Sequence, residues 1–131
     1  GDFKRLYSSK NLKINKLKFN LKQINLSNNF VKGTIRGLHY FDIRKKEFKI
    51  VNCPKGSIFD LILDVRKNSK TYGKLFSIEL NERNKWSIII PPGVAHGYQT
   101  LKKNFLDQFF SFLVTKTINF HNVELDVFCI Q

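Results

Sequence analysis

The stretch FKIVNCPKGSIFDLILDV, residues 48–65, decides the fold. Phe48 to Cys53 mixes aromatic and β-branched residues over a strand's length, and Pro54-Lys55-Gly56 reads as the turn that ends it. Ser57 to Val65 is rich in Ile, Leu, Phe and Val, is interrupted by Asp60 and Asp64, and gives way to a polar loop at Arg66 to Lys70. Downstream, Leu75 to Leu80 alternates, Asn81 to Lys85 makes a turn, and Trp86 to Ile90 runs into Pro91-Pro92-Gly93. Neither a helix nor a central strand accommodates that last tripeptide. Upstream, Leu12, Ile14, Leu17, Phe19 and Leu21 alternate loosely in a lysine-rich opening that shows no helix. Short strands separated by turns at roughly ten-residue spacing predict an all-β sandwich or small barrel. The last thirty or so residues read two ways. Phe105, Leu106, Phe109, Phe110, Phe112, Leu113 and Val114 fit a helical stripe about as well as a buried strand, and the surrounding strands favour the strand.

A chain of 131 residues without repeat, linker or low-complexity tract is expected to be one domain, 1–131. Lys and Arg number 23 against 10 Asp and Glu, a formal charge of +13 that raises the question of a polyanionic partner. With 42% hydrophobic residues the chain is too apolar for a disordered basic tail, so the charge decorates a packed core. The cations are dispersed rather than clustered, and lysine is abundant throughout while Ala95 is the single alanine. Much of the excess therefore reads as a solvated surface, and no nucleic-acid partner is expected. Cys53 and Cys129 lie far apart with no C-x-x-C, which argues against a disulfide scaffold or a zinc finger and for a reducing compartment. No run is long and apolar enough for a membrane-spanning helix, and the opening residues carry no apolar signal region.

Two of the three histidines sit beside glycines in turn-bounded stretches: Arg36-Gly37-Leu38-His39-Tyr40 and Pro92-Gly93-Val94-Ala95-His96-Gly97-Tyr98. Glycine lets backbone approach a ligand closely, and imidazole is matched to proton transfer near neutral pH. Arg36 and Lys49 could supply the positive field that a phosphate or a developing oxyanion needs. By residue type alone, a hydrogen-bonded structural histidine is the commoner outcome.

Several ordered segments go further: Gln23-Ile24-Asn25-Leu26-Ser27, Gly33 to Tyr40, Glu47 to Cys53, Gly56 to Asp60, Asp64 to Gly73, and Pro91 to Leu101. With Gly1-Asp2-Phe3-Lys4-Arg5 at the start, this series over roughly residues 1 to 104 closely resembles the dTDP-4-dehydrorhamnose 3,5-epimerase family. The resemblance implies a cupin-type jelly roll, a homodimer, no metal and no cofactor. It also implies a cytoplasmic isomerase of polysaccharide biosynthesis acting on a nucleotide-linked 4-keto-6-deoxyhexose.

In that reaction a 4-keto group acidifies the hydrogens on C3 and C5, so inversion needs a base, stabilisation of the enolate oxygen, and an acid on the opposite face. By the resemblance His39 is the base and Lys49 lies near the keto oxygen. Arg36, Gln23, Asn25 and His96 match substrate-contacting residues, with Arg36 suited to the diphosphate and Arg5 a further cation for it. Taken as ordinary structural residues, Gln23 and Asn25 would satisfy sheet-edge backbone, and Asp60 and Asp64 would pair with Arg66 or orient His39. The family's acid is a tyrosine whose position here is Phe109, and the last residues, Asn104 to Gln131, depart from the family's pattern. A substitute donor such as Tyr98 or a water, epimerisation at one carbon only, or binding of a nucleotide sugar without turnover are the corresponding alternatives. A metal-dependent cupin using His39, Glu47 and His96 is a rival ligand set, although Phe41 stands where the second histidine of an H-x-H pair would be.

Overall fold

The computed structural model describes residue 1 and residues 19–102, 107–116 and 128–130. Nine strands and one short 3-10 turn follow in order: β1 (Phe19–Asn29), β2 (Ile35–His39), the turn Ile43–Lys45, β3 (Glu47–Lys55), β4 (Ser57–Asp64), β5 (Leu75–Asn81), β6 (Ser87–Ile90), β7 (Val94–Thr100), β8 (Asp107–Lys116) and β9 (Phe128–Ile130). They form a five-stranded sheet of order β1-β8-β3-β6-β9 and a four-stranded sheet of order β2-β7-β4-β5, antiparallel throughout. From β1 to β4 the chain changes sheet at every step, and after the β4–β5 hairpin it alternates again through β6, β7 and β8. That alternation is the jelly-roll topology expected from the sequence.

Period-two patterning builds the core. Along β4, Ile58, Asp60, Ile62 and Asp64 are fully covered while Phe59 is exposed, and Ile78 and Leu80 of β5 join them. Val51 and Cys53 of β3, Ile88 and Ile90 of β6, and Val94 and Tyr98 of β7 close the cluster, with Trp86 packed against its margin. Of the residues that read as either helix or strand, Phe110, Phe112, Leu113 and Val114 pair along β8 with both β1 and β3 and Phe109 pairs with β1, while Phe105 and Leu106 lie outside the described residues.

One boundary differs from the sequence reading. Pro54 does not end β3, which continues to Lys55. The ladder with β6 stops at Asn52 and the pairing with β8 is irregular between Asn52 and Lys55, so the missing proline N–H interrupts no regular pairing. Arg5 and the alternating Leu12, Ile14 and Leu17 lie outside the described residues.

Candidate active site

β2 and β7 run closer together than side chains would allow. A Cβ on Gly97 would lie 2.7 Å from the Arg36 carbonyl oxygen, and one on Gly37 would lie 2.7 Å from the Gly97 Cα. Two glycines facing each other therefore let the strands touch at backbone level, and Gly37, at φ +111°, adopts a conformation that L side chains rarely take. The register shifts between Arg36 and His39 at this point and brings His39, the last residue of β2, opposite His96. His39 is exposed and His96 is buried.

The opposite sheet supplies the cation. Lys49 of β3 places Nζ 3.0 Å from His96 Nε2, and His96 Nδ1 lies 3.4 Å from both carboxylate oxygens of Asp60. An ammonium can only donate, so Nε2 accepts and Nδ1 carries the ring proton toward Asp60. The imidazole thus bridges Lys49 and the Asp60 carboxylate, an arrangement that fixes the ring in place. Lys49 also lies 4.8 Å above the centroid of the Phe41 ring, and Gly93 N–H, donating to the Phe41 carbonyl at 2.9 Å, anchors the segment carrying that ring. Burial pushes the Lys49 ammonium below its ordinary pKa, and the negative charge of Asp60 pulls it back up. Burial likewise raises Asp60, against the hydrogen bond and charge of His96. The result is a half-buried ammonium held by His96 and the Phe41 ring, with the Asp60 carboxylate on the far side of the imidazole.

Beside this chain lies a second polar group of side chains. Arg36 Nε donates to Asn29 Oδ1 at 3.0 Å, Asn29 Nδ2 donates to the Tyr98 hydroxyl oxygen at 3.3 Å, and that hydroxyl donates to Ser27 Oγ at 3.3 Å. Gln23 and Asn25 share this face of β1 by alternation, and Gln23 Nε2 donates to Asn25 Oδ1 at 2.6 Å. Both are exposed, so they do not serve as buried partners of sheet-edge backbone.

The two aspartates of β4 separate cleanly. Asp64 pairs with Arg66 and accepts from Ser69 and Thr71, whereas Asp60 faces His96 and orients neither His39 nor Arg66. Glu47, the carboxylate of the rival metal set, accepts from Lys22 at 3.1 Å. Among the described residues no three His, Cys, Asp or Glu side chains gather as a metal site.

In sequence and fold the chain is similar to known proteins. The family model for dTDP-4-dehydrorhamnose 3,5-epimerase matches residues 1–124. The chain belongs to that family. A dTDP-4-dehydrorhamnose 3,5-epimerase of Sinorhizobium fredii is 39% identical over 102 residues, covering 78% of this chain and 52% of the relative, so the chain spans about half the length of that relative. The epimerase structure from Bacillus anthracis, with TDP and PPi bound, superposes with a TM-score of 0.75 at 30% identity, covering 91% of this chain and 69% of that one. An epimerase of Legionella pneumophila in complex with dTDP-4-keto-L-rhamnose gives a TM-score of 0.73 at 29% identity, over 91% of this chain and 63% of that one.

Of the expected site residues, Lys49 and His96 are in contact, His39 is the register partner of His96, and Arg36 lies three residues before His39 on β2. Gln23 and Asn25 lie further along β1, and Arg5 is outside the described residues. Reading the residues singly missed Ser27 and Asn29. Their signal was present, since Gln23, Asn25, Ser27 and Asn29 place a polar side chain at every second position of one strand.

Proposed function

We propose that this chain binds a dTDP-linked 4-keto-6-deoxyhexose and catalyses its epimerisation by removing a proton next to the ketone. His39 is the base. Its exposure leaves the ring open to a substrate, while Lys49 sits near enough to meet the enolate oxygen as negative charge develops there. His96 and Asp60 hold that ammonium, and Arg36 meets the diphosphate, with Gln23, Asn25 and Arg5 completing the nucleotide-sugar contacts. The observation that carries the reading is the convergence itself: a candidate base from β2 and a candidate cation from β3 meet around one buried imidazole.

The ligands named for the Bacillus anthracis and Legionella pneumophila structures support this substrate class. Incubation with dTDP-4-keto-6-deoxyglucose in deuterated water, followed by NMR at C3 and C5, tests the reaction. Exchange is expected at C3, and His39→Ala should abolish it while dTDP binding persists. Binding without exchange at either carbon in the unmodified chain would instead establish a nucleotide-sugar binder, the reading that phenylalanine at position 109 favours.

The same reading places the protein in the cytoplasm as a homodimer. Ile24 and Leu26 on β1 are 51% and 47% exposed, and Phe30, Val31 and Ile35 just beyond them are more so. A second copy covering this apolar edge would remove it from water. Sedimentation of Leu26→Lys is expected to show a monomer where the unmodified chain sediments as a dimer, and two monomeric species would refute it.

A further inference from the structure

Inversion at carbon needs a proton taken from one face and another returned to the opposite face, and a single base cannot do both while the intermediate stays bound. His39 accounts for the first half. Lys49, His96 and Asp60 are engaged with one another. Resting on the epimerase reading above, the second half can be sought among the remaining proton-bearing groups.

Three tyrosines fall within the described residues. Tyr40 and Tyr72 are 63% and 55% exposed, so water competes for their hydroxyls and nothing fixes their direction. Tyr98 is 5% exposed. It lies two residues after His96 on β7, on the same buried face, and its register partner on β2 is Arg36. Its hydroxyl reaches across the sandwich to Ser27 and Asn29 of β1. Ser27 in turn pairs with Phe109 of β8, a position where the chain offers only hydrocarbon.

We propose that Tyr98 is the proton donor that completes the inversion. His39 takes the proton from the carbon next to the ketone, and the electron pair of that C–H bond moves into the carbonyl to give an enolate beside the Lys49 ammonium. The Tyr98 O–H bond then breaks, its proton joins the opposite face of the same carbon, and the enolate pair forms the new C–H bond. A tyrosinate and an imidazolium remain, and solvent water returns a proton to the one and accepts it from the other. The tyrosinate does not stand alone. The Asn29 amide donates to that oxygen, and Arg36 donates to the Asn29 carbonyl, so the positive charge of Arg36 reaches the phenolate through a polarised amide.

The test separates exchange from inversion, both measured on dTDP-4-keto-6-deoxyglucose in deuterated water. Tyr98→Phe is expected to go on exchanging substrate hydrogen through His39 but to lose inversion by about 100-fold or more, the scale of general acid catalysis. Its affinity for dTDP should stay within about twofold, since the phenyl ring fills the same space. Moving the hydroxyl across the sandwich, in Tyr98→Phe combined with Phe109→Tyr, should restore inversion. Inversion by Tyr98→Phe at the unmodified rate overturns the proposal and leaves the epimerase reading standing. So does an unmodified chain that exchanges without inverting. A Tyr98→Phe variant that loses exchange and dTDP binding along with inversion, or a double variant that binds dTDP without inverting, overturns it as well. An unmodified chain that neither exchanges nor inverts overturns both.

Discussion

Replacing Asp60 with asparagine should move the alkaline limb of the pH–rate profile to lower pH. Lys49 must be an ammonium to stabilise an enolate, and two opposed influences set where it loses its proton: burial, which lowers its pKa, and the carboxylate of Asp60, which raises it. The two charges face each other through His96, with contacts of 3.0 Å on one side of the ring and 3.4 Å on the other, so they lie about 8 Å apart. At an effective dielectric of about 20 their attraction is about 2 kcal/mol. Asp60→Asn keeps the shape and an oxygen that can still accept from His96 Nδ1, but removes the charge. Burial then acts on Lys49 unopposed, and the ammonium is lost at lower pH. The assay is the initial rate of C3 hydrogen exchange between pH 6 and 10, with dTDP affinity measured in parallel as the control for folding. The expected result is an alkaline limb displaced to lower pH with the maximal rate largely retained. A limb that stays in place or moves upward would show that Asp60 does not sustain the charge on Lys49, and the assignment of the Asp60–His96–Lys49 chain would fall.

Gly97→Ala should lower the melting temperature of the chain and weaken exchange together, because the new methyl would sit 2.7 Å from the Arg36 carbonyl and force β2 away from β7. Overpacking of this kind costs about 1–3 kcal/mol, and an unchanged melting temperature would contradict the backbone contact. Asp64→Asn should destabilise the fold by about 3 kcal/mol in urea titrations at neutral pH, since the Arg66 guanidinium, 11% exposed, would lose the charge it faces. Burial alone would raise the Asp64 carboxyl, but hydrogen bonds from Arg66, Thr71 and Ser69 hold it well below its ordinary value of 3.8. Its folded pKa is therefore depressed, and its contribution is complete above about pH 4 and lost as the pH falls through the folded value. The variant should accordingly show a flatter loss of stability in acid than the unmodified chain, and parallel acid limbs would count against it.

How far the sequence could be read depends on whether a residue's role is local. The alternation of Ile58, Ile62, Ile78 and Leu80 is a property of single strands, and it placed β4 and β5 to within a residue or so. Pro54 misled because its effect depends on whether a neighbouring strand needs its N–H, which only the sheet pairing reveals. The same limit applies to the site. His39, His96 and Lys49 stand out by residue type and by likeness to a family, yet Lys49 and His96 are 47 positions apart and belong to different sheets. Asp60 has Arg66 nearby in sequence as an obvious partner, and only the packing of the sheets gives it His96 instead.

Strand β1 reverses the usual sidedness of a half-buried strand toward its C-terminal end. Ser27 and Asn29 face the opposite sheet and bind Tyr98, while Ile24 and Leu26 face away and remain exposed. Packing among the described residues does not account for this, because burying Asn29 and part of Ser27 while leaving Ile24 and Leu26 in water loses on both counts. Each half of the reversal needs its own compensation. Inside, the polar groups compensate one another through the Arg36–Asn29–Tyr98–Ser27 hydrogen bonds, which hold a phenol where the proposed inversion requires an acid. Outside, burial of Ile24 and Leu26 against a second copy would supply what the single chain lacks. A strand whose sidedness is wrong for a core is thus right for one that lines a site on one face and an interface on the other.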